Sequence, residues 1–342
     1  MNVTLSSLAL SDEPFVLLAP TFARSQRWVL LRNPRVATPR DSRVVWLARY
    51  ETHGRDAVAL TGDFEDVTVE LEATPTSLTW ALDDEAGFVT GLAVIREAIA
   101  AGDVYQVNLT RPATVECASG AHFLSTLCRR GTPRFGAWCR LHALGLGEFV
   151  TASPELLFEL DLTTRVIRAE PMKGTAAPAE RAWLAASVKD QAELAMITDL
   201  VRDDLNHLCV ARSVEVPASR RYIELPYVVQ AVSDVTGVLR PEVSLAQVFA
   251  QLHPGGSVTG APRESARSLI AQLEPRPRGF YCGFLALEQQ GRVCSALLIR
   301  TAQREGPASS KWHYGVGGGI TWDSNAPSEL AELRIKLGAL NG

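Results

Sequence analysis

The sequence predicts an α+β fold: a single large domain of mainly antiparallel β-sheets. Strand-like runs cluster in groups along the 342 residues and do not alternate one for one with helices. No internal repeat, low-complexity tract or Pro/Ser-rich linker divides the chain. We therefore expect residues 1–88 to form a strand-rich part of the core, and residues 89–342 to carry the functional region within the same folding unit.

The first third of the chain begins with short apolar runs between Pro, Gly and Asp clusters, which predict strands over residues 15–19, 28–31 and 44–48. A helix is predicted next, over residues 85–101. Its apolar positions recur at helical spacing, and Gly102-Asp103 ends it. The apolar positions are Phe88, Leu92, Ile95 and Ile99.

The remaining elements follow from alternation and from helix-start residues. Strands are predicted over residues 104–110, 136–141, 147–152, 156–160, 165–169, 213–223, 228–239 and 314–320. Residues 280–287 and 292–300 predict a hairpin that turns at Gln290-Gly291. Helices are predicted over residues 181–211, 262–273 and 326–340, with Pro262 at the first position of its helix.

Composition excludes several classes of protein. The net charge of -4 and the pI near 5.9 argue against a nucleic-acid-binding surface. The six cysteines form no Cys-x-x-Cys pair, which predicts buried thiols in a reducing compartment. No basic segment precedes the first apolar stretch, and no run approaches the roughly 20 apolar residues of a membrane span. We predict a cytoplasmic protein without a nucleic-acid or membrane partner.

Lysine is scarce in this chain, since only four of its 34 basic residues are lysine: Lys173, Lys189, Lys311 and Lys336. Arginine is effectively never deprotonated, whereas a partly buried lysine can lose its proton and act as a nucleophile. Lys173 stands in Pro171-Met172-Lys173-Gly174-Thr175, after a predicted strand and before a predicted Gly-Thr turn, so its amine is expected at a strand end. A solvated surface charge is the common alternative for a lysine in a loop.

Carboxylates in three places could take part in chemistry. Glu155 follows a strand and could be a general acid if its pKa is raised, although a turn carboxylate is the simpler interpretation. Glu329 and Glu332 share a helix face with Lys336, and Glu193 borders apolar positions on another helix. The simpler interpretation of Glu329 and Glu332 is a solvated, salt-bridged helix face, and that of Glu193 is a position at the surface edge of its helix. Carboxylates from two helices would nevertheless suit Mg²⁺, which prefers hard oxygen ligands.

Two glycine-rich stretches could let a ligand approach the backbone. Residues 255–262 lead into a predicted helix N-terminus, where an anion is favoured, but they lack the Gly-Lys-Ser/Thr ending of a P-loop. A mobile connecting loop is the alternative. Residues 315–319 precede a strand-like segment, so they do not fit the dinucleotide-binding pattern. Bare backbone there could still admit a ligand.

An ordered set of motifs then connects these residues: residues 101–109, Ser153-Pro154-Glu155, residues 171–175, 193–205, 254–262 and 299–301, and Gly317-Gly318-Gly319 with Glu329 and Glu332. In this order they resemble the chorismate-utilising enzymes, most closely the branch that forms component I of aminodeoxychorismate synthase. Each motif alone is weak, and the order makes the set specific. The resemblance implies a two-sheet sandwich core flanked by helices, with a chorismate-binding catalytic region in residues 89–342.

The resemblance also implies how a dianionic substrate would be held. Mg²⁺ would be bound by Glu193 and Glu332, with Glu329 beside them, and would meet the ring carboxylate of chorismate. A substrate-binding set would surround the rest of the molecule: Gln106, Ser257, Tyr281, Arg300, and the backbone amides of Gly317 and Gly318.

Two positions distinguish branches of the family. The resemblance implies that isochorismate and salicylate synthases have a lysine at the position of Gln106. It also implies that anthranilate synthases have a small residue at the position of Lys173. The resemblance therefore implies that the Lys173 amine attacks C2 of chorismate as the C4 hydroxyl leaves, with Glu155 as general acid. Ammonia would then add at C4 and expel the lysine. The product would be 4-amino-4-deoxychorismate, for p-aminobenzoate and folate synthesis.

No Cys-His-Glu amidotransferase pattern is visible, so ammonia would come from a separate glutaminase subunit. The chain departs from the family pattern at Gln230, where histidine is usual, and at Asp203, Asn206, His207 and Arg263. Two alternatives therefore stand beside the main interpretation: component I of anthranilate synthase, and a non-catalytic chorismate-binding relative.

Overall fold

Two β-sheets with helices packed against them form the part of the chain that a computed structural model describes. That part consists of three short strands at residues 15–19, 29–32 and 60–61, and then of residues 77–129, 133–140, 147–224, 228–289, 291–306 and 308–341. The strand predicted over residues 44–48 lies outside the described residues.

The strands of the described chain, in order, are β1 (Phe15–Ala19), β2 (Val29–Arg32), β3 (Leu60–Thr61), β4 (Thr79–Leu82), β5 (Gln106–Glu116), β6 (Phe135–Arg140), β7 (Glu148–Ser153), β8 (Leu156–Asp161), β9 (Val166–Ala169), β10 (Met172–Ala176), β11 (Glu215–Glu224), β12 (Val229–Val238), β13 (Gly260–Ala261), β14 (Phe284–Gln289), β15 (Arg292–Leu297), β16 (Thr301–Arg304) and β17 (Lys311–Ile320). The helices are α1 (Glu85–Ala101), α2 (Gly120–Cys128), α3 (Arg181–Ala186), α4 (Val188–Asn206), α5 (Leu245–Leu252), α6 (Gly256–Thr259), α7 (Arg263–Leu273) and α8 (Ala326–Leu337).

The larger sheet has ten strands in the order β10-β12-β9-β8-β15-β14-β1-β2-β3, with β11 also paired to β12. The smaller sheet has seven strands in the order β13-β5-β17-β16-β7-β6, with β4 paired to β5. The described strand pairs are antiparallel except β2 with β3, which is parallel. This arrangement confirms the predicted α+β class with mainly antiparallel sheets, and β14 and β15 form the predicted hairpin.

The smaller sheet buries one face against helices, and α1 supplies part of that core. Phe88, Leu92 and Ile95 are at most 5% exposed and belong to one apolar cluster with residues of β5, β17, α7 and α8. The side chain of Asp84 accepts a hydrogen bond from the amide of Gly87 at the start of α1, and Gly102 ends it with φ 85°. The bounds of α1 match the predicted ones because both ends carry strong capping residues.

The larger sheet buries its own face against α5 and the end of α4. Phe249 of α5 stacks on Phe284 of β14 with ring centroids 4.5 Å apart, and packs against Phe158 of β8. The two cores position the sheets so that β10 of one and β5 and β17 of the other meet at the site described below. Helices α2 and α5 carry part of these cores, and no sequence pattern above predicts them.

The single helix predicted over residues 181–211 is wrong, because the chain forms two helices with a break at Ser187. Ser187 takes φ -65° and ψ 108°, and its Oγ accepts a hydrogen bond from the amide of Asp190. It is therefore an N-cap, which satisfies one of the free amides at a helix start. The second helix also ends at Asn206 and not at residue 211.

Two further expectations concern the whole chain. All six cysteines are thiols outside any disulfide bond, and four of them are buried. Within the residues described, no helix has both the length and the apolar composition that a membrane span requires.

Candidate active site

Lys173 lies within strand β10, which corrects the prediction that it precedes a turn after a strand. The register between β10 and β12 shifts between Met172 and Thr175, so β10 carries a bulge at this point. Gly174 within the bulge has φ 87°, a conformation that glycine adopts at no steric cost. A bulge redirects side chains locally, and the Lys173 side chain is only 13% exposed. The amine is therefore not the solvated surface charge of the alternative interpretation.

The Lys173 amine lies close to a carboxylate and a carboxamide. Its Nζ is 3.9 Å from Oε2 of Glu193. A β-carbon at Gly319 would lie 3.2 Å from Nζ and 2.2 Å from Nε2 of Gln106, so only glycine lets β17 approach both groups. Lys173, Gln106 and Glu193 thus come together from a strand of the larger sheet, a strand of the smaller sheet and a helix.

Glu155, between β7 and β8, is a buried carboxyl group with one close donor. It is 6% exposed, and the hydroxyl of Ser257 donates to its Oε1 at 2.7 Å. Burial raises the pKa of Glu155 to about 7, while the hydrogen bond from Ser257 and the charge of Lys173 oppose the rise. A carboxyl group that is half-protonated near neutral pH can donate a proton, as general acid catalysis requires. Ser257, predicted to bind substrate, contacts the candidate acid.

The three predicted metal carboxylates approach one another from α4 and α8. A β-carbon at Gly318 would lie 3.0 Å from Oε2 of Glu329 and 3.9 Å from Oε1 of Glu332. Glu329 is buried, and the Ser324 hydroxyl donates to its other oxygen at 2.6 Å. Burial raises the pKa of Glu193 on α4, and the charge of Glu332 adds to the rise.

Lys189 and Lys336 neutralise part of this cluster. The Lys336 amine is 2.7 Å from Oε1 of Glu332 and also donates to a backbone carbonyl of β17. Burial would raise the pKa of Glu332, but the charges of Lys336, Lys189 and Lys173 hold it below its usual value. Burial likewise opposes the charged form of Lys189, yet its pKa is raised because Glu193 and two glutamates of α8 face it.

A metal ion at these carboxylates stays a prediction. Among the residues that the structure describes, no three His, Cys, Asp or Glu side chains stand close enough to hold a metal ion as they lie. The donor chemistry does fit Mg²⁺, because Glu193, Glu329 and Glu332 offer hard oxygen ligands near one lysine. The three carboxylates would have to move closer together to bind one ion.

The residues predicted to hold the second carboxylate lie at different positions along β17. The ring of Tyr281 fills the space beside Gly315, where a β-carbon would lie 2.2 Å from the ring. Arg300 precedes β16 and has φ 50°, a strained conformation for a residue other than glycine. Its charge acts on Tyr314, next to Gly315, since it partly offsets the rise in the pKa of Tyr314 that burial causes.

The backbone of β17 is open on one side where the glycines lie. Strand β16 pairs with β17 at His313 and Tyr314, whereas β5 pairs with β17 as far as Ile320. Gly317 and Gly318 thus have a strand partner on the β5 side alone within the described ladder. Alternate amides of such a segment point away from the ladder, where a carboxylate could accept from them.

Cavity size does not mark this site. A cleft of about 530 Å³ opens beside Tyr281 and Gly315, but its other walls carry none of the predicted site residues. A void of about 20 Å³ borders Glu155 and Ser257, with room for one water-sized molecule. The candidate site is thus defined by the convergence of charged and buried polar groups between two sheets.

Comparison with known proteins assigns this chain to a family. The model of the family of chorismate binding enzymes matches residues 28–342. The chain belongs to this family. Aminodeoxychorismate synthase component 1 of Salmonella typhimurium is 34% identical over 247 residues, which are 69% of this chain and 52% of that protein. Anthranilate synthase component 1 of Arthrobacter globiformis is 32% identical over 267 residues, 75% of this chain and 50% of that protein. The chain therefore spans about half the length of these relatives.

Solved structures confirm the fold of a chorismate-utilising enzyme. Anthranilate synthase component I of Streptococcus pneumoniae aligns with a TM-score of 0.68 and 25% identity, over 78% of this chain and 60% of that one. The menaquinone-specific isochorismate synthase MenF of Escherichia coli aligns with a TM-score of 0.63 and 22% identity, over 79% and 63%. The second likeness concerns the fold alone. Relatives named for different reactions have similar identities to this chain. The comparisons therefore decide the family but not which of its reactions this chain catalyses.

Two lysines of this chorismate binding enzyme were missed as site residues by sequence reasoning. Lys189 faces all three predicted metal carboxylates, and Lys336 pairs with Glu332. The scarcity of lysine pointed to Lys173, and the same signal could have pointed to Lys189 and Lys336. Three of the four lysines lie at this site. The fourth, Lys311, is exposed at the far end of β17.

The raised pKa of Glu155 predicts a pH-dependent stability. The folded state holds this proton up to about pH 7, whereas the unfolded state releases it near pH 4.5. Between these values the folded state binds more protons, so the free energy of unfolding falls as pH rises, by about 3 kcal/mol in total. Urea denaturation at pH 5 and pH 8 measures this fall. In Glu155→Gln we expect most of it to disappear, and an unchanged difference between the two pH values would contradict the assignment.

Magnesium binding predicts a thermal shift that does not depend on turnover. A ligand that binds only the folded state at 100 times its Kd stabilises it by about 2.7 kcal/mol. We expect Mg²⁺ to raise the melting temperature of the protein. Glu193→Gln and Glu332→Gln should abolish the rise, while Glu242→Gln, at an exposed ion pair away from the site, should keep it. Equal shifts in all four proteins would exclude these carboxylates as ligands.

Proposed function

We propose that this chain is the synthase component of an aminodeoxychorismate synthase. It would convert chorismate and ammonia to 4-amino-4-deoxychorismate through an adduct on Lys173. The observation that carries the proposal is the position of Lys173: its side chain is only 13% exposed, its amine lies beside Gln106 and Glu193, and its charge acts on the carboxyl group of Glu155. A nucleophile and a general acid of suitable pKa within one buried site support covalent catalysis.

In the first step the ammonium group of Lys173 gives one proton to solvent water, and the neutral amine then forms a bond to C2 of chorismate. The ring double bonds shift, the C4–O bond breaks, and protonated Glu155 gives its proton to the departing oxygen, which leaves as water. The nitrogen of the adduct then carries a positive charge. Burial of Glu155 favours the neutral acid that this step consumes.

In the second step ammonia forms a bond to C4, the double bonds shift back, and the C2–N bond to Lys173 breaks. The lysine leaves as a neutral amine, and the Glu155 carboxylate takes one proton from the new ammonium group. The acid and the nucleophile are thereby restored together. Splitting the substitution into two displacements is the general advantage of covalent catalysis.

Binding of the dianionic substrate would be shared among the remaining residues. Arg300, the Tyr281 hydroxyl and the open amides of β17 would hold one carboxylate, with Ser257 at the ring. When bound, Mg²⁺ would neutralise the other carboxylate at Glu193, Glu329 and Glu332. Buried, preorganised charges of this kind act strongly because little water screens them.

Ammonia would come from a glutaminase subunit. The support for this partner is that the names of these relatives call each of them component 1 of a synthase. The product would serve p-aminobenzoate and folate synthesis, and the reaction would take place in the cytoplasm.

The test of this function is incubation of the purified protein with chorismate, Mg²⁺ and an ammonium salt, followed by an aminodeoxychorismate lyase. We expect p-aminobenzoate only after the lyase is added. Anthranilate formed without the lyase would assign the chain to the anthranilate synthases. Binding of chorismate without turnover of any kind would make it a non-catalytic relative.

A further inference from the structure

Gln106 is a fully buried side chain whose hydrogen-bonding groups are unsatisfied. Its exposure is 0%, and neither Oε1 nor Nε2 has a hydrogen-bond partner within the described chain. Nearly all buried polar side-chain atoms in folded proteins are hydrogen-bonded, because an unpaired one lowers stability. Methionine has nearly the same shape without this penalty. A reason other than stability must therefore keep the carboxamide here.

The backbone around Gln106 is held on two sides. Gln106 pairs with Ala261 of β13, and the next residue, Val107, pairs with Gly260 of β13 and Ile320 of β17. The carbonyl of Gln106 is packed so closely against Gly260 that a β-carbon there would lie 2.1 Å from it. The carboxamide therefore projects from a fixed strand position towards Gly319 and Lys173.

We infer that Gln106 is a positioning residue for Lys173: a half-turn of its carboxamide brings Oε1 to the side near Gly319 where Nε2 lies, and Oε1 then accepts a hydrogen bond from the attacking amine. The inference rests on the proposed function, since it concerns the first step of that reaction. It differs from a substrate-binding role, in which Gln106 would hold chorismate and leave the lysine unaffected. The two unsatisfied atoms of the carboxamide are the observation that carries it.

The chemistry of the first step explains why an acceptor is useful at this place. The lysine nitrogen is neutral before the attack and carries a positive charge in the adduct. A hydrogen bond from its N–H to a carbonyl oxygen strengthens as that charge develops, so it stabilises the transition state more than the ground state. The bond also fixes the direction of the nitrogen lone pair. A carboxamide accepts without a negative charge, so it does not favour the unreactive ammonium form as a carboxylate would.

The experiment measures adduct formation in single turnover. Protein is mixed with saturating chorismate and Mg²⁺ without ammonia, quenched at intervals, and analysed by intact-protein mass spectrometry. In Gln106→Met we expect the rate of adduct formation to fall about 10- to 100-fold, the range for loss of a hydrogen bond to a charged group. Half-saturation for chorismate should stay within about twofold. The melting temperature should rise by about 2–4 °C, because unpaired buried groups are removed.

A matched control is available in β15. The Ser295 hydroxyl is likewise fully buried and unpaired within the described residues, but Ser295 pairs in register with Phe158 and Ala286 inside the larger sheet. Ser295→Ala should leave the adduct rate unchanged. Gln106→Ala serves as a second variant in case methionine disturbs packing, and it should show the same slow adduct formation with unchanged half-saturation.

The outcomes separate this inference from the proposed function. A wild-type adduct with equal rates in the Gln106 variants would overturn the positioning role and leave the covalent mechanism intact. Weaker half-saturation for chorismate with an unchanged maximal rate would overturn it in favour of substrate binding. Absence of an adduct in the wild type itself would overturn the covalent mechanism and the inference with it.

Discussion

Lys173→Ala is expected to lower ammonia-dependent formation of 4-amino-4-deoxychorismate by roughly 10³-fold or more, because removal of a covalent nucleophile removes the reaction path itself. The mass increase on chorismate treatment should disappear at the same time. With the C2 position no longer taken by lysine, direct attack of ammonia at C2 becomes the competing reaction. Product analysis by liquid chromatography, together with intact-protein mass spectrometry, measures both effects.

Lys173→Arg separates nucleophilicity from charge. Arginine keeps the positive charge beside Glu193 but is effectively never deprotonated, so we expect this variant to be as inactive as the alanine variant. Lys311→Ala is the control for loss of a lysine, since Lys311 is exposed at the far end of β17. Full activity of the arginine variant would show that Lys173 acts only through its charge, and an unchanged product and rate in the alanine variant would remove it from the mechanism.

Glu155→Gln has the second large expected effect, a loss of about 10²- to 10⁴-fold in the rate of adduct formation. Glutamine keeps the shape and can still accept from the Ser257 hydroxyl, but it cannot give a proton to the leaving oxygen. Single-turnover mass spectrometry measures the rate. Glu242→Gln, which alters an exposed carboxylate, should leave it unchanged. A rate in Glu155→Gln close to that of the wild type would assign the proton donor elsewhere.

The pH dependence of the reaction supplies an independent check on Glu155. The first step needs the protonated acid, so kcat/KM should decline as pH rises through about 7. The hydrogen bond from Ser257 stabilises the ionised carboxylate and therefore lowers its pKa. In Ser257→Ala that opposing effect is lost, and the decline should move to higher pH. Movement to lower pH would contradict this account of the site.

Local sequence patterns predicted the elements that carry strong boundary residues. Asp84 and Gly102 fix both ends of α1, and the bounds in the structure are those predicted. The break at Ser187 was missed because serine has nearly ordinary helix propensity, and its role as a cap depends on where the chain turns. The break has a consequence for the site, since it places Lys189 and Glu193 near the beginning of α4 and opposite α8.

Lys173 also shows, for a single residue, what a local sequence pattern predicts and what it misses. Its scarcity and its motif pointed to a special amine, but the motif predicted a turn and the chain forms a bulged strand. A bulge depends on register with β12, whose pairing residues lie more than 50 positions later in the sequence. No local pattern contains that information.

The sequence by itself determined the α+β class, the family and the set of polar residues available for chemistry, because these depend on residue type, order and spacing. Only the tertiary structure decided which of those residues meet and how they are charged. Glu155 became a candidate acid through burial and a hydrogen bond from Ser257, 102 positions away. Lys189 and Lys336 joined the site because two helices from distant parts of the chain face each other across it. Desolvation and charge proximity fall off within a few ångströms, so they are fixed by packing and cannot be read from the order of residues along the chain.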